Sequence, residues 1–305
     1  MGAPDAAVLG LGYLGRPLAE KLYQQGRRVA AIKRHLTSDD INLPPEVSLS
    51  AHDLNAAQAF DAARWQDWAD KPLWFCLLPP SAVADYAMVL QNWLSLAQTF
   101  GVQHIIYGSS ISVYGDEARL CNEASTLNPH TASAEKVLAA EQLFLNSGIA
   151  HIDILRLGGL YSASRHPLTS LLKKSRIGGA QQPVNMLHQE SAVAALLHAA
   201  AHPAGVRIRN IVSPAHPPKH EFYRAEAAKL GPGRGSSGAD MQPAARQQVE
   251  RGRAFGDLRL DRVGVQLRVA QNGALDAVIQ PRAGGLDLGL ADAQPRKPGN
   301  LDDVI

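Results

Sequence analysis

The chain of 305 residues is short of the features that would mark a secreted, membrane-spanning or nucleic-acid-binding protein. It holds two cysteines, Cys76 and Cys121. Two so far apart exclude both a disulfide framework and a cysteine metal cluster. No apolar run approaches the roughly 20 residues of a membrane span. Charge of either sign is lacking in excess: 30 basic and 28 acidic residues leave a net +2. No field is left that would gather nucleic acid or an anionic membrane. The N-terminus shows no basic start followed by an apolar segment, so a cytoplasmic location is the expectation. One scarcity is local. Residues 232–305 contain a single aromatic, Phe255, and a single lysine, Lys297. Such a composition is a poor core former. It reads as a weakly ordered tail, or as a compact unit without legible periodicity; a changed reading frame or a replaced C-terminus would account for it.

What is present lies upstream. Short apolar runs alternate with helix-like segments. Strands are expected at Ala6–Leu9, Arg28–Ile32, Val47–Ser50, Leu73–Leu78, His104–Gly108 and Ile149–Leu155. Helices are expected at Leu14–Gln25, Ala56–Trp68, Ser81–Phe100 and Ser133–Asn146. This alternation predicts an α/β, Rossmann-type doubly wound parallel sheet. A small mixed lobe is expected after it, with helices at Pro167–Lys174, Glu190–Ala200 and Pro217–Leu230 and a strand at Val206–Val212. The division is 1–160, 161–231 and the tail 232–305. Trp65 and Trp68 read as aromatics packing one helix face on the sheet.

The first strand runs into Gly10-Leu11-Gly12-Tyr13-Leu14-Gly15-Arg16. Strand, three-glycine turn and helix in this order seat a pyrophosphate on a helix N-terminus. Gly10 allows the turn, Gly12 lets backbone approach the phosphates, and Gly15 lets helix and strand pack closely; Leu14 belongs to the same turn. An acidic residue at the end of the second strand would bind a ribose 2′-hydroxyl. This chain has Lys33 and Arg34 there, with Arg16 in reach. Cations suit a 2′-phosphate better than a diol, which points to NADP, with NAD as the alternative. Leu78 and Pro79 end the fourth strand, where such sheets face the cofactor; the following Ser81 reads as a helix cap.

Further landmarks follow in order. Ile106–Asp116 reads IYGSSISVYGD, Leu155–Tyr161 reads LRLGGLY, Arg165-His166-Pro167 follows, Asn185–Glu190 reads NMLHQE, and Asn210–Ser213 reads NIVS. Together with the glycine turn these resemble the extended branch of the short-chain dehydrogenase/reductase superfamily, the NAD(P)-dependent epimerase/dehydratase group, over about residues 6–230. The resemblance implies that Asp53 and Leu54 contact the adenine, although Asp53 is equally suited to capping the following segment. It implies that Ser109 lies with the cofactor and that Ser110 polarises a substrate oxygen. Lys136 matches the lysine of the group's Tyr–Lys dyad. Four residues before it stands Ala132, which transfers no proton. His130 stands near the tyrosine's place and, with Tyr161, is a candidate to supply the proton instead, yet six residues from Lys136 it falls on another helix side. Tyr161, Arg165, Asn185 and His188 are the implied substrate-side residues, with Tyr161 also readable as packing and His188 as a satisfied histidine near a helix start.

Two functions are therefore carried forward. One is an NADP-dependent oxidoreductase or epimerase/dehydratase-like enzyme for a small carbonyl or sugar-nucleotide-like substrate. The other is a catalytically silent NADP-binding sensor or partner-binding protein. No metal, nucleic acid or membrane partner is expected, and a homodimer through the helices 81–100 and 133–146 fits by analogy.

Overall fold

The computed structural model describes residues 4–117, 119–171 and 180–229; the aromatic-poor stretch 232–305 lies outside the described residues. Seven parallel strands make the main sheet: β1 (Ala6–Leu9), β2 (Val29–Lys33), β3 (Val47–Ala51), β4 (Leu73–Cys76), β5 (His104–Ser110), β6 (His151–Leu157) and β9 (Val206–Ile211). Their spatial order is β3-β2-β1-β4-β5-β6-β9. The chain lays β2 and β3 to one side of β1 and returns to place β4 on the other. The order thus reverses between β1 and β4, the point at which such sheets open a ligand crevice at their C-terminal edge. β7 (Gly159–Tyr161) and β8 (Met186–His188) form a separate parallel pair. β9 lies within the 161–231 span, yet it pairs with β6 as the edge of the main sheet.

Both faces are covered, which is why the central strands β1 and β4 are apolar; the edge strands β3 (VSLSA) and β9 (VRIRNI) are mixed. Every residue of β1 and β4 is buried. α1 (Gly15–Gln24) and α5 (Gln189–Ala201) pack on one face, against Val8, Ala31, Phe75 and Leu155. α2 (Tyr86–Thr99) and α3 (Ala132–Leu145) pack on the other, against Leu9, Ile32, Cys76 and Tyr107. Burial pushes the Cys76 thiol up to about 12, so it is an inert core group. α4 (Leu168–Leu171) and α6 (Lys219–Lys229) belong to the small lobe.

Two helices differ from the sequence expectation. No α-helix covers 56–68; a 3-10 segment runs over Ala62–Trp68, opened by Asp61, whose side chain accepts from the Ala63 N–H. A 3-10 turn aligns positions i and i+3. Here the segment kinks at Trp65 (φ −112°, ψ 17°) between two short turns, and the kink leaves Trp65 and Trp68 both buried and edge-on at 4.9 Å, with Trp68 edge-on to Trp74. Their role is core packing. The helix expected from Ser81 begins only at Tyr86, because Asp85 caps it by accepting from the Met88 N–H at 2.9 Å. Ser81 instead lies in the short turn Pro80–Ala82. Thr131 caps α3 in the same way through the Ala134 N–H.

At the far, N-terminal edge of the sheet, Asp153 is fully buried. It accepts from Arg207 through two bonds of 2.7 Å, and its Oδ2 lies 2.8 Å from His104 Nε2. Burial pushes its carboxyl up, but the bonds with His104 and Arg207 outweigh this and hold it below the ordinary range. A carboxyl lowered in the fold stabilises above its unfolded pKa and loses that contribution as pH falls through the folded one. Asp153→Asn should therefore lower stability at pH 7, and its deficit against the parent should shrink as urea unfolding is repeated at lower pH, below about 4. A deficit constant over that range would contradict the assignment.

Candidate functional site

A cleft of about 630 Å³ opens beyond the C-terminal ends of the paired strands β1 and β4. Its floor is the glycine turn. Gly10 has φ +93°, and a Cβ there would lie 2.8 Å from the Leu77 carbonyl carbon and oxygen at the end of β4. A Cβ on Gly15 would press into the Gly10 carbonyl oxygen, and would also stand 3.3 Å from Val8. A Cβ on Gly12 would meet nothing within 4 Å. Two of the three glycines are thus demanded by the fold itself. The third leaves space that the protein does not fill. α1 starts here with Leu14 at its N-cap, no side-chain cap and no acidic residue in its first turn. Uncapped N–H groups at the positive end of a helix suit an anion. A cleft of this volume fits a ligand of dinucleotide class, so the residues present fit such a cofactor.

The cleft has two ends. Ile32, Lys33, Arg34, His35, Thr37, His52 and Leu54 line one; Gly108, Leu157, Leu160 and Arg165 line the other, with Leu78 and Pro79 between them. Leu54 reaches the cleft, but Asp53 is exposed. Its Oδ1 accepts from the Asn55 N–H and Nδ2, closing a local turn. Those bonds, foremost the backbone one, hold its carboxyl below the ordinary range. This is the local role for Asp53; no helix follows it directly.

The basic end is not an open cationic hole. Lys33 donates to Thr37 Oγ1 at 3.1 Å and to both oxygens of Asp40 at 3.0 and 2.9 Å. Arg16 reaches Asp40 at 3.5 Å, Glu20 at 3.2 Å and the Asp39 carbonyl at 2.7 Å. Two of the three cations expected to face a 2′-phosphate are therefore already engaged. Asp40 was missed in the sequence although Thr37-x-x-Asp40 has the spacing of a capping box; it sits in the 3-10 segment Ser38–Asn42, whose N-cap is Thr37, seven residues beyond Lys33.

The residues expected to act in catalysis are not brought together in the cleft. Ser110 Oγ accepts from the Ser112 N–H at 3.1 Å and caps the 3-10 turn Ile111–Tyr114. Ser109 is buried and donates to Glu141 at 2.5 Å. Lys136 is exposed and lines a different groove, between α2 and α3, with Asp85, Tyr86 and Ala139. The inward stripe of α3 is Ala134, Val137, Ala140, Glu141 and Phe144; Val137, one residue on from Lys136, packs on Val113 and Tyr114. His130 is exposed before the helix and bonds Asn128 at 2.9 Å. Ala132 is exposed at the first position of α3.

On the other side, Arg165 lines the cleft and its guanidinium lies 4.9 Å over the Tyr13 ring. Tyr161 alternates with Leu160 along β7. Leu160 faces the cleft, so Tyr161 turns away; its ring packs edge-on to His188 at 5.2 Å and to Phe222 at 5.5 Å. His188 caps α5 by accepting from the Glu190 N–H at 3.3 Å. Asn185 is half-buried and its carbonyl accepts from Gly159 at 2.8 Å. Tyr13 was not expected from the sequence as a lining residue; it is the position between two motif glycines, and only the fold of the turn aims it at Arg165.

No family model matches the chain. Protein YeeZ of Escherichia coli K12 is 32% identical over 240 residues, covering 74% of this chain and 83% of that protein. Among solved structures, MoeE5 in complex with UDP-glucuronic acid and NAD aligns with a TM-score of 0.63 at 23% identity, over 74% of this chain and 82% of the other. The UDP-glucose 4-epimerase of Thermus thermophilus in complex with NAD aligns at 0.62 and 17% identity, over 74% and 83%. The UDP-N-acetylglucosamine 4-epimerase of Bacillus cereus aligns at 0.60 and 18% identity, over 72% and 79%.

Proposed function

The chain belongs to the YeeZ family, on an NAD-dependent epimerase/dehydratase fold of the extended short-chain dehydrogenase/reductase type, and on that premise we propose that it binds a nicotinamide dinucleotide in the cleft beyond the C-terminal ends of β1 and β4 and serves hydride exchange with a small carbonyl or sugar-nucleotide substrate. The observation that carries the reading is the glycine turn: closed at Gly10 and Gly15, open at Gly12, and set against an uncapped helix start. When bound, the dinucleotide supplies a hydride donor or acceptor. The protein's own part is to hold and enclose. The backbone at Gly12 and the Gly15 N–H at the start of α1 would hold the pyrophosphate, since the Arg16 N–H already donates to the Gly12 carbonyl at 3.1 Å and Pro17 has no N–H. Leu9, Ile32 and Leu54 wall the adenosine end, while Leu157 and Leu160 exclude water at the other. Arg165, at that second end, is the charged group placed to orient an anionic substrate. Of the second lobe, Arg165 is the residue that lines this end.

A second reading has its own observation. Ala132 stands where the Tyr–Lys dyad would have its tyrosine, Lys136 faces a groove other than the cleft, and the Ser110 hydroxyl caps a turn. These features favour a protein that holds the dinucleotide without turnover. Calorimetric titration with NAD and NADP in both redox states, followed by a hydride-exchange assay with UDP-glucose, UDP-glucuronic acid and simple ketones, separates the two. Binding with turnover supports the first reading; binding without it selects the second; no binding of any dinucleotide overturns both.

Gly12→Val gives a sharper check. No neighbour lies within 4 Å of the new Cβ and φ is not in the left-handed region. The thermal midpoint should stay near that of the parent, while dinucleotide affinity falls at least about hundredfold, since backbone approach to the pyrophosphate is blocked. Unchanged affinity would remove the pyrophosphate from this turn.

A further inference from the structure

The cleft could accept either form of the cofactor at its adenosine end, and the residue that decides between them lies outside the cleft lining. We propose that Asp40 is a specificity-determining residue that turns this end against a 2′-phosphate, so that the protein takes NAD at least as readily as NADP. The inference rests on dinucleotide binding in the cleft.

Lys33 is the cation that ends β2 and lines the cleft. An ammonium has three N–H donors. Lys33 meets three acceptors: Thr37 Oγ1 at 3.1 Å and the two Asp40 oxygens at 3.0 and 2.9 Å. No donor is left for a phosphate. Asp40 is itself well held. Its side chain is 5% exposed, and it accepts from the Thr37 N–H at 2.6 Å, the Thr37 hydroxyl at 3.0 Å and Arg16 at 3.5 Å. Burial pushes its carboxyl up, but the bonds from Lys33 and Thr37 outweigh this, so it stays ionised at neutral pH.

A 2′-phosphate arriving at Lys33 would meet a fixed carboxylate within about 6 Å, where like charges repel appreciably even near water. It would have to break the Lys33–Asp40 pair or rely on Arg34. Arg34 is exposed, and Asp53 shares its field. A ribose diol carries no charge and requires no such rearrangement. Two of the three cations that advertise NADP in the sequence, Lys33 and Arg16, are thus engaged by a residue that folds back onto them.

The test is calorimetry with NAD+ and NADP+ on the full chain, read as the ratio of the two dissociation constants within each variant. The parent should bind NAD+ at least as tightly as NADP+. Asp40→Asn keeps the shape and removes the charge. It should tighten NADP+ about tenfold and move NAD+ by less than about threefold. Asp40→Ser removes the charge by a different side chain and should shift the ratio the same way, which guards against one variant failing to fold. A parent that prefers NADP+ tenfold or more, or a ratio that neither variant moves, overturns the proposal while leaving dinucleotide binding intact. A parent that binds neither overturns both.

Discussion

Replacing Arg156 with Met is expected to cost the fold about 3–5 kcal/mol, the usual effect of removing one partner from a buried ion pair. Arg156 and Glu141 are 2% and 0% exposed. The guanidinium donates to both carboxylate oxygens, through Nε at 2.9 Å and Nη2 at 2.7 Å. Its remaining arm donates to the Tyr114 hydroxyl at 2.8 Å, and the same group lies 5.0 Å over the Tyr114 ring. Burial alone would lower the Arg156 pKa, but Glu141 more than offsets it and holds the charge firmly. Without Arg156, Glu141 would keep only the Ser109 hydroxyl. Arg156→Lys should recover little, because an ammonium cannot make the paired contact. The double variant Arg156→Met with Glu141→Leu should recover most of the loss, since no charge is then left alone in the core. Urea unfolding of the parent, both single variants and the double variant checks this. A double variant as unstable as the sum of the singles would show that the pair is not coupled.

The network has a position as well as an energy. It starts at Ser109 on β5, passes through Glu141 of α3 and Arg156 of β6 to Tyr114, and ends at Asn210 of β9, whose Oδ1 accepts from Tyr114 at 2.7 Å. Its strand members lie toward the C-terminal ends of three adjacent strands, the edge of the sheet on which the cleft opens. Together they set the 3-10 turn after β5 against α3.

How much of this was legible depended on whether local pattern and tertiary role coincided. The central strands did coincide: Ala6–Leu9 and Leu73–Cys76 are apolar because helices cover both faces, and a run of that kind reads the same in sequence and in space. The glycine turn was legible for the same reason. The place of Lys136 was not. Its spacing from Ala132 matched the dyad of the resembling group, but the face of α3 that turns inward is set by burial, and its stripe runs through Ala134, Val137, Glu141 and Phe144. Residue 136 falls beside that stripe, and the apolar periodicity already contained this answer. Trp65 and Trp68 misled in the opposite sense. Two aromatics three apart suggested an α-helix, while two short 3-10 turns kinked at Trp65 bury both. Asp40 left only a short trace, the Thr37-x-x-Asp40 spacing of a capping box, which marks the start of the 3-10 segment Ser38–Asn42 but does not say that the carboxylate also reaches back to Lys33.

Gly15→Ala should damage both stability and binding, and the contrast with Gly12 is what makes it informative. The added carbon would press on the Gly10 carbonyl oxygen, which is backbone and cannot rotate away. Relief requires the start of α1 to move off β1 by about 1 Å. Overpacking of this kind costs about 1–3 kcal/mol. The same displacement carries the Gly15 N–H away from the Gly10–Gly12 turn and strains the Arg16 N–H bond to the Gly12 carbonyl, so the backbone that would hold a pyrophosphate is no longer aligned. Dinucleotide affinity should fall at least about hundredfold, equivalent to about 2.7 kcal/mol. Calorimetry and urea unfolding on the same preparation give both quantities. The three positions then separate by mechanism. At Gly12 binding is lost and stability kept. At Gly15 both are lost. At Gly10, where φ is +93° and a Cβ would meet the end of β4, strain joins the clash and the stability loss should be the larger share. A Gly15→Ala protein that binds and unfolds like the parent would show that helix and strand do not approach as closely as this fold requires.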